Sequence, residues 1–456
     1  MSFKPLALAA FAALAAHAQA ADLDFSKQPY TAQTAEVNGQ TVQYRAFENI
    51  PYVKNPVEAG YQTINIYIPE AYFNGGSING YTTATAPVFL PNRIGGYMPA
   101  KAGVPGKGGH GQSKGADAMQ AALARGLVVA SPGARGRTSS TGKAPAAIVD
   151  LKAAVRYLKA NDRAMPGDAR KIISNGTSAG GALSVLLGAS ANQADYEGSL
   201  KALGAAEADD SIFAVSAYCP ISMLDYKVER KLVKGTLNEA EQSLSGRLKP
   251  LFAPYLNSLK LKDAQGRVLT LDQNGNGSFK NYVASFLAKS AQGQLDAGKN
   301  LSDRRWLTVK NGKVSAVDFD KYAAAAGRQK TPPAFDAVDL SAGENQLFGS
   351  ATQDTRHFTE FSAQNSTVKG AGRADAQTVK MMNPMHYIAK TPTQHWRIRV
   401  GTADRDTSLA VSAILAAKLQ NSGKSVDYAL PWDVPHSGDY DLDELFAWVD
   451  KVAKGK

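Results

Sequence analysis

The chain has 456 residues, 44% of them hydrophobic, which sets it apart from disordered chains and small stapled modules and allows a large core in one domain or two. Its formal net charge is +11, but the basic residues are interspersed with acids, and no aromatic-basic platform or nucleic-acid module is present, so the excess reads as a solvated surface with no nucleic-acid partner. A single cysteine, Cys219, excludes an internal disulfide, and the core alone must hold the fold.

Met1 to Ala20 carries Lys4, an apolar run from Leu6 to Ala16, and Ala18-Gln19-Ala20 as a small-residue cleavage site. This predicts a secretory signal peptide over residues 1–20 and a mature chain that is exported, either secreted or periplasmic. The apolar run falls short of the roughly 20 residues that span a bilayer, and no later stretch is long and apolar enough, so no membrane partner is expected.

Thr34 to Tyr44 holds two short alternating segments about Asn38-Gly39, a strong hairpin signal. Strands follow over Tyr61–Ile68, where Ile64, Ile66 and Ile68 alternate, and over Ala86–Leu90. Strand and helix then alternate: a helix from Asp117 to Arg125, a strand over Leu127–Ala130, a helix opened by Pro145 and carrying Leu151, Val155 and Leu158, and a strand at Ile172-Ile173. Phe213–Tyr218 is a further strand. Such alternation implies a mostly parallel sheet with helices on both faces.

The regularity stops near Asp225 and resumes near Gln394, where His395–Val400 and Val426–Leu430 read as strands and Ser408–Leu419 and Leu442–Val452 as helices. Residues 21–225 and 391–456 are therefore read as two parts of one core, and residues 226–390 as an inserted cap or lid domain over the sheet's carboxyl edge.

The strand at Ile172-Ile173 runs into Gly176-Thr177-Ser178-Ala179-Gly180 and then a small-residue helix. That context makes the Gly-x-Ser-x-Gly a nucleophile elbow, with Ser178 at the carboxyl edge and an α/β-hydrolase fold as the architecture. In this fold an acid and then a histidine follow the serine, on loops after later strands. Five histidines remain after the signal peptide, His110, His357, His386, His395 and His436. His110 precedes the elbow, His357 and His386 fall in the insertion, and His395 begins a strand at the wrong edge. His436 sits in a Pro/Gly loop between the last strand and last helix, where a triad base belongs.

For the acid, Gly401-Thr402-Ala403-Asp404-Arg405-Asp406 follows a strand directly. Either aspartate can orient the imidazole; otherwise Asp406 can serve as a helix cap and Asp404 can pair with Arg405, and Asp404 is favoured because it comes first after the strand. Oxyanion donors are expected from the Ala179 N–H and from the Asn92–Tyr97 loop, through Gly95 and Gly96.

These segments resemble those of bacterial tannases of the lactobacillus type, esterases acting on gallic acid esters. The resemblance rests on Ile94-Gly95-Gly96-Tyr97-Met98-Pro99, Gly176-Thr177-Ser178-Ala179-Gly180-Gly181, Tyr218-Cys219-Pro220-Ile221, Glu344-Asn345-Gln346-Leu347-Phe348-Gly349, Met382-Asn383-Pro384-Met385-His386-Tyr387, Gly401-Thr402-Ala403-Asp404-Arg405-Asp406 and His436-Ser437-Gly438-Asp439-Tyr440. It implies Ser178, Asp404 and His436 as the triad, and Lys330, Glu344 and Asp406 as contacts to the galloyl hydroxyls. A small phenolic ester is then the substrate, cleaved through an acyl-enzyme. The fungal tannase and feruloyl esterase group differs, since it depends on a cysteine pair that this chain lacks. A broader carboxylesterase or feruloyl esterase with the same triad is the alternative within enzymes. A non-catalytic exported binding protein on a hydrolase scaffold is the alternative outside them, and the intact triad candidates argue against it.

Asp272-Gln273-Asn274-Gly275-Asn276-Gly277 imitates the start of a calcium loop, but Val283 stands where the bidentate glutamate belongs, so it reads as a polar turn. No Cys/His cluster, phosphate loop or dinucleotide fingerprint appears, and neither a metal nor a cofactor is expected.

Overall fold

Asn38 and Gly39 have φ of 50° and 78°, the two left-handed positions that a two-residue hairpin turn needs if it is to match strand twist. They join β1 (Thr31–Val37) to β2 (Gln40–Pro51) with Val37 opposite Gln40. The structure, a computed structural model, describes residues 20–107, 117–221 and 236–455. The expected signal segment, except Ala20, and His110 lie outside those residues.

After the hairpin come β3 (Thr63–Pro69), β4 (Pro87–Pro91), α1 (Ala118–Ala124), β5 (Val128–Pro132), α2 (Ala146–Ala160), β6 (Asp168–Thr177), α3 (Ala179–Ala189), α4 (Glu197–Ala202) and β7 (Ala214–Tyr218). The middle of the chain holds α5 (Glu239–Ser258), α6 (Ser278–Asp296), β8 (Leu307–Lys310), β9 (Lys313–Val317), α7 (Phe319–Ala326), α8 (Gly343–Leu347), α9 (Glu360–Gln364) and α10 (Ala376–Met381). The chain ends with β10 (His395–Arg399), α11 (Leu409–Asn421), β11 (Ser425–Ala429) and α12 (Leu442–Ala453).

Among the described residues nine strands form one sheet in the order β1-β2-β3-β5-β4-β6-β7-β10-β11. The pairings from β1 to β5 are antiparallel, and those from β5 to β11 are parallel. This is the α/β-hydrolase architecture, and it brings the loops after β4, β6, β10 and β11 to one edge. β4, β5 and β7 are buried along their whole lengths, as expected of central strands covered on both faces. Helix α2 is also buried from Ala146 to Leu158 despite its charges. Those charges are paired: Asp150 with Arg135 at 2.8 Å, and Lys152 and Arg156 with Asp210 at 2.9 Å each. Burial without these partners would be costly.

The described residues from 236 to 390 add no strand to the large sheet; β8 and β9 pair only with each other. Their apolar side chains, among them Leu256, Phe279, Val283 and Leu287, join the same continuous cluster as the sheet core. We propose this segment as the inserted cap; residues 226–235 of the expected span lie outside the described residues. No helix among the described residues is long and apolar enough to cross a membrane.

Candidate active site

Strand β6 delivers Ser178 at φ 57° and ψ −119°, a conformation that non-glycine residues rarely adopt and that marks stored strain. The turn is held by the Ser178 N–H donating to the Tyr218 carbonyl at 2.9 Å, and by the Ala182 N–H donating to the Ser178 carbonyl, also at 2.9 Å. A Cβ on Gly176 would stand 2.4 Å from the Gly180 carbonyl oxygen, and one on Gly180 would stand 2.5 Å from Asn92 Oδ1. Both glycines of the motif are therefore steric requirements of the strand-to-helix turn.

His436 lies in the loop after β11, with Nδ1 2.9 Å from Asp404 Oδ2. Asp404, in the loop after β10, is fully buried, and its Oδ1 accepts the N–H groups of Asp406 at 2.8 Å and Thr407 at 2.9 Å. Burial is the largest influence on His436 and disfavours its charge; the hydrogen bond and charge of Asp404, helped by Asp406 and opposed by Lys330, outweigh it, and the pKa is raised above 6.5.

Each residue after His436 has its own contact. The Ser437 carbonyl accepts the Cys219 thiol at 3.0 Å. Burial, reinforced by the Asp404 charge, pushes that thiol well above its usual range and keeps it neutral. A Cβ on Gly438 would meet Thr177 Oγ1 at 1.9 Å. Asp439 accepts from Asn175 Nδ2 at 2.9 Å, and the Tyr440 ring packs edge-on against Tyr218 at 5.2 Å. The loop carrying the histidine is thus keyed, residue by residue, to the ends of β6 and β7.

Ser178 and His436 line one cavity of about 350 Å³, together with Asn92, Arg93, Gly95, Gly96, Met119, Asn175 and Asp439, among others. Ala179, the first residue of α3, is buried directly behind the serine. Lys330, Glu344 and Asp406 are not among the residues lining that cavity. The charges of Lys330 and Asp406 both act on His436, in opposite senses. The Lys330 ammonium stands 4.2 Å from the centre of the Phe335 ring. Glu344, on α8, is 7% exposed and influences Tyr97, in the loop after β4. Arg137 links these two regions, donating to the Gly96 carbonyl at 2.7 Å and to Gln346 Oε1 at 2.5 Å.

The other described histidines lie elsewhere in the fold. His357 is buried and held by Asp336 at 2.7 Å, His386 sits in a short turn of helix, and His395 starts β10 with its ring against Phe213 at 4.9 Å. Asp272 closes a tight turn by accepting the N–H groups of Asn274 and Asn276. The pairing of Asn175 with Asp439 escaped the sequence reading; its only signal is an asparagine directly before Gly176.

Comparison with known proteins fits this arrangement. The BD-FAE family model, an α/β-hydrolase domain, matches residues 89–252. No curated protein matches the sequence. Among solved structures, Fusobacterium nucleatum tannase is 50% identical over 95% of this chain and 99% of its own, with a TM-score of 0.90. A tannin acyl hydrolase in complex with ethyl gallate is 45% identical over 94% of this chain and 99% of its own, at 0.89. The native tannin acyl hydrolase from Lactobacillus plantarum is 44% identical over the same shares, also at 0.89. With likeness of this degree along nearly all of both chains, the chain belongs to the tannase family and is a carboxylic ester hydrolase.

Proposed function

We propose that this chain hydrolyses galloyl esters through a covalent acyl-enzyme on Ser178, with His436 as base and then acid and Asp404 as its orienting partner. The observation that carries this reading is the 2.9 Å contact of His436 Nδ1 with Asp404 Oδ2 in a histidine that shares a cavity with the strained Ser178. With Nδ1 engaged by the carboxylate, Nε2 is the nitrogen left to take the serine proton. The Ser178 oxygen attacks the ester carbonyl, and the oxyanion is received by the N–H of Ala179 and by an N–H from Gly95 or Gly96. His436 returns the proton to the departing alcohol; water then repeats the sequence and frees the acid.

Lys330, Glu344 and Asp406 are the proposed grip on the ring hydroxyls. Glu344 supports this most directly: the carboxylate is nearly buried, yet it has no hydrogen-bond partner among the described residues. A nearly buried carboxylate without a protein partner is open to a donor brought by a ligand. A ring carrying adjacent O–H groups supplies such donors, and a ring without them leaves the site unpaired, which gives selectivity. Export through the Met1–Ala20 signal remains part of the proposal.

Initial rates on methyl gallate, methyl ferulate, methyl benzoate and a simple acetate test the reading. Methyl gallate should lead by at least an order of magnitude; equal rates on ferulate or benzoate would make the chain a broader esterase.

A further inference from the structure

We propose that the cavity of about 350 Å³ beside Ser178 and His436 is the subsite for the alcohol half of the ester, and that its Asp439–Asn175 end selects alcohols bearing further hydroxyl groups. This rests on the galloyl reading given above, because it needs the acyl ring to lie against Lys330, Glu344 and Asp406.

An ester carbonyl bound at Ser178 extends in two directions, acyl and alkoxy. The proposed acyl contacts border none of this cavity, and among the described residues that line it none comes from the cap. The space therefore lies where the alkoxy half must go. Chemistry places it there as well. When the tetrahedral intermediate collapses, the bond from the carbonyl carbon to the alkoxy oxygen breaks and the electron pair stays with that oxygen. The oxygen takes the proton held on His436 and leaves as a neutral alcohol, so the leaving oxygen faces His436. His436 is one wall of the cavity.

The lining shows what kind of alcohol fits. Pro91, Ile94, Ala118 and Met119 supply apolar walls, while Asn175 and Asp439 supply a polar end. Asn175 is 2% exposed and uses its amide N–H to donate to Asp439 at 2.9 Å, but its Oδ1 is a buried acceptor without a partner. An unpaired buried acceptor beside a carboxyl group suits a ligand that brings O–H donors. A methyl or ethyl alcohol brings none once esterified, and it would leave most of the space to water. Sugars, polyols and phenolic alcohols all bring hydroxyls; their shared chemistry is the donor, and the test separates the sources.

The measurement is kcat/KM for methyl gallate, for a glucose monogallate and for a catechin gallate, in the parent, in Asp439→Asn and in Met119→Trp. The first variant removes the charge while keeping the shape; the second fills the cavity from the wall of α1. The ratio to methyl gallate should fall at least tenfold for the sugar ester, the catechin ester or both. The ester whose ratio falls identifies the alcohol that the subsite takes. A fall beyond threefold in folded Met119→Trp supports the subsite and one in folded Asp439→Asn supports its selection of hydroxyls; a fall in Met119→Trp alone removes that selection, and ratios within threefold of the parent's in both folded variants overturn the proposal. A parent enzyme inactive on methyl gallate removes the galloyl reading itself, and the subsite with it.

Discussion

His436 and Asp404 are joined by one short contact, 2.9 Å from Nδ1 to Oδ2, while the second oxygen of Asp404 is tied to the backbone of its own loop at Asp406 and Thr407. The carboxylate therefore holds the imidazole in place from a fixed position, and the neighbouring Asp406 contributes its N–H to that fixing while its side chain remains available. The two aspartates separate on this basis. Asp404→Asn should lower kcat on every ester by on the order of 10³-fold or more, because the imidazole loses both its tautomer and its counter-charge. Asp406→Asn should spare an acetate ester. Reversed results on acetate would exchange the two roles.

The pH dependence follows from the same contact. His436 must be neutral to act as base, and its pKa is raised above 6.5 because Asp404, with Asp406, outweighs burial and Lys330. The acid limb of kcat/KM should have its midpoint above 6.5, and Asp404→Asn should move it to lower pH, since burial then dominates. For stability the sign is that of a raised group: the stabilisation is complete below the unfolded value and is lost as pH rises through the folded one. Asp404→Asn should thus lower Tm more near pH 6 than near about pH 9; an equal loss at both would deny the coupling.

On the proposed grip, Lys330→Ala and Glu344→Ala each remove a hydrogen bond between a charged group and a ring hydroxyl, on the order of 1.5–3 kcal/mol, or about tenfold and more in kcat/KM for methyl gallate. An acetate ester offers these groups nothing to hold and should change much less. Proportionate losses on both esters would make the two residues structural.

Steric contact supplies a prediction independent of charge. A Cβ on Gly401 would lie 1.9 Å from the Val434 carbonyl oxygen, so Gly401→Ala must push apart the loop that carries Asp404 and the loop that carries His436. The expected result is a fall in Tm corresponding to about 1–3 kcal/mol and a larger loss in kcat than in substrate affinity. Normal kcat in this variant would show that the two loops need not be held at this distance.

The sheet and the triad candidates were legible in the sequence because each rests on local patterning. Asn38-Gly39, the alternation of Ile64, Ile66 and Ile68, and the glycines flanking Ser178 are conformational requirements written into a few adjacent residues. The elements within the proposed cap were not legible in the same way. Asn311-Gly312 repeats the hairpin signal, with φ of 50° and 71° between β8 and β9, but its strands are exposed and lack the apolar alternation that exposes a half-buried strand. Helix α5 runs through Pro250 and Pro254, residues that weaken any local helix signal. The pairing of Asn175 with Asp439 joins residues 264 positions apart, and no local pattern announces such a contact.

The central claim is that Ser178 carries the acyl group. It is tested most directly by incubating the purified chain and its Ser178→Ala variant with an active-serine phosphonate, locating the adduct by peptide mass, and measuring methyl gallate turnover in both. The account predicts one adduct on Ser178 in the parent, none in the variant, and turnover in the variant lower by several orders of magnitude with Tm little changed. Near-normal turnover by folded Ser178→Ala would contradict it.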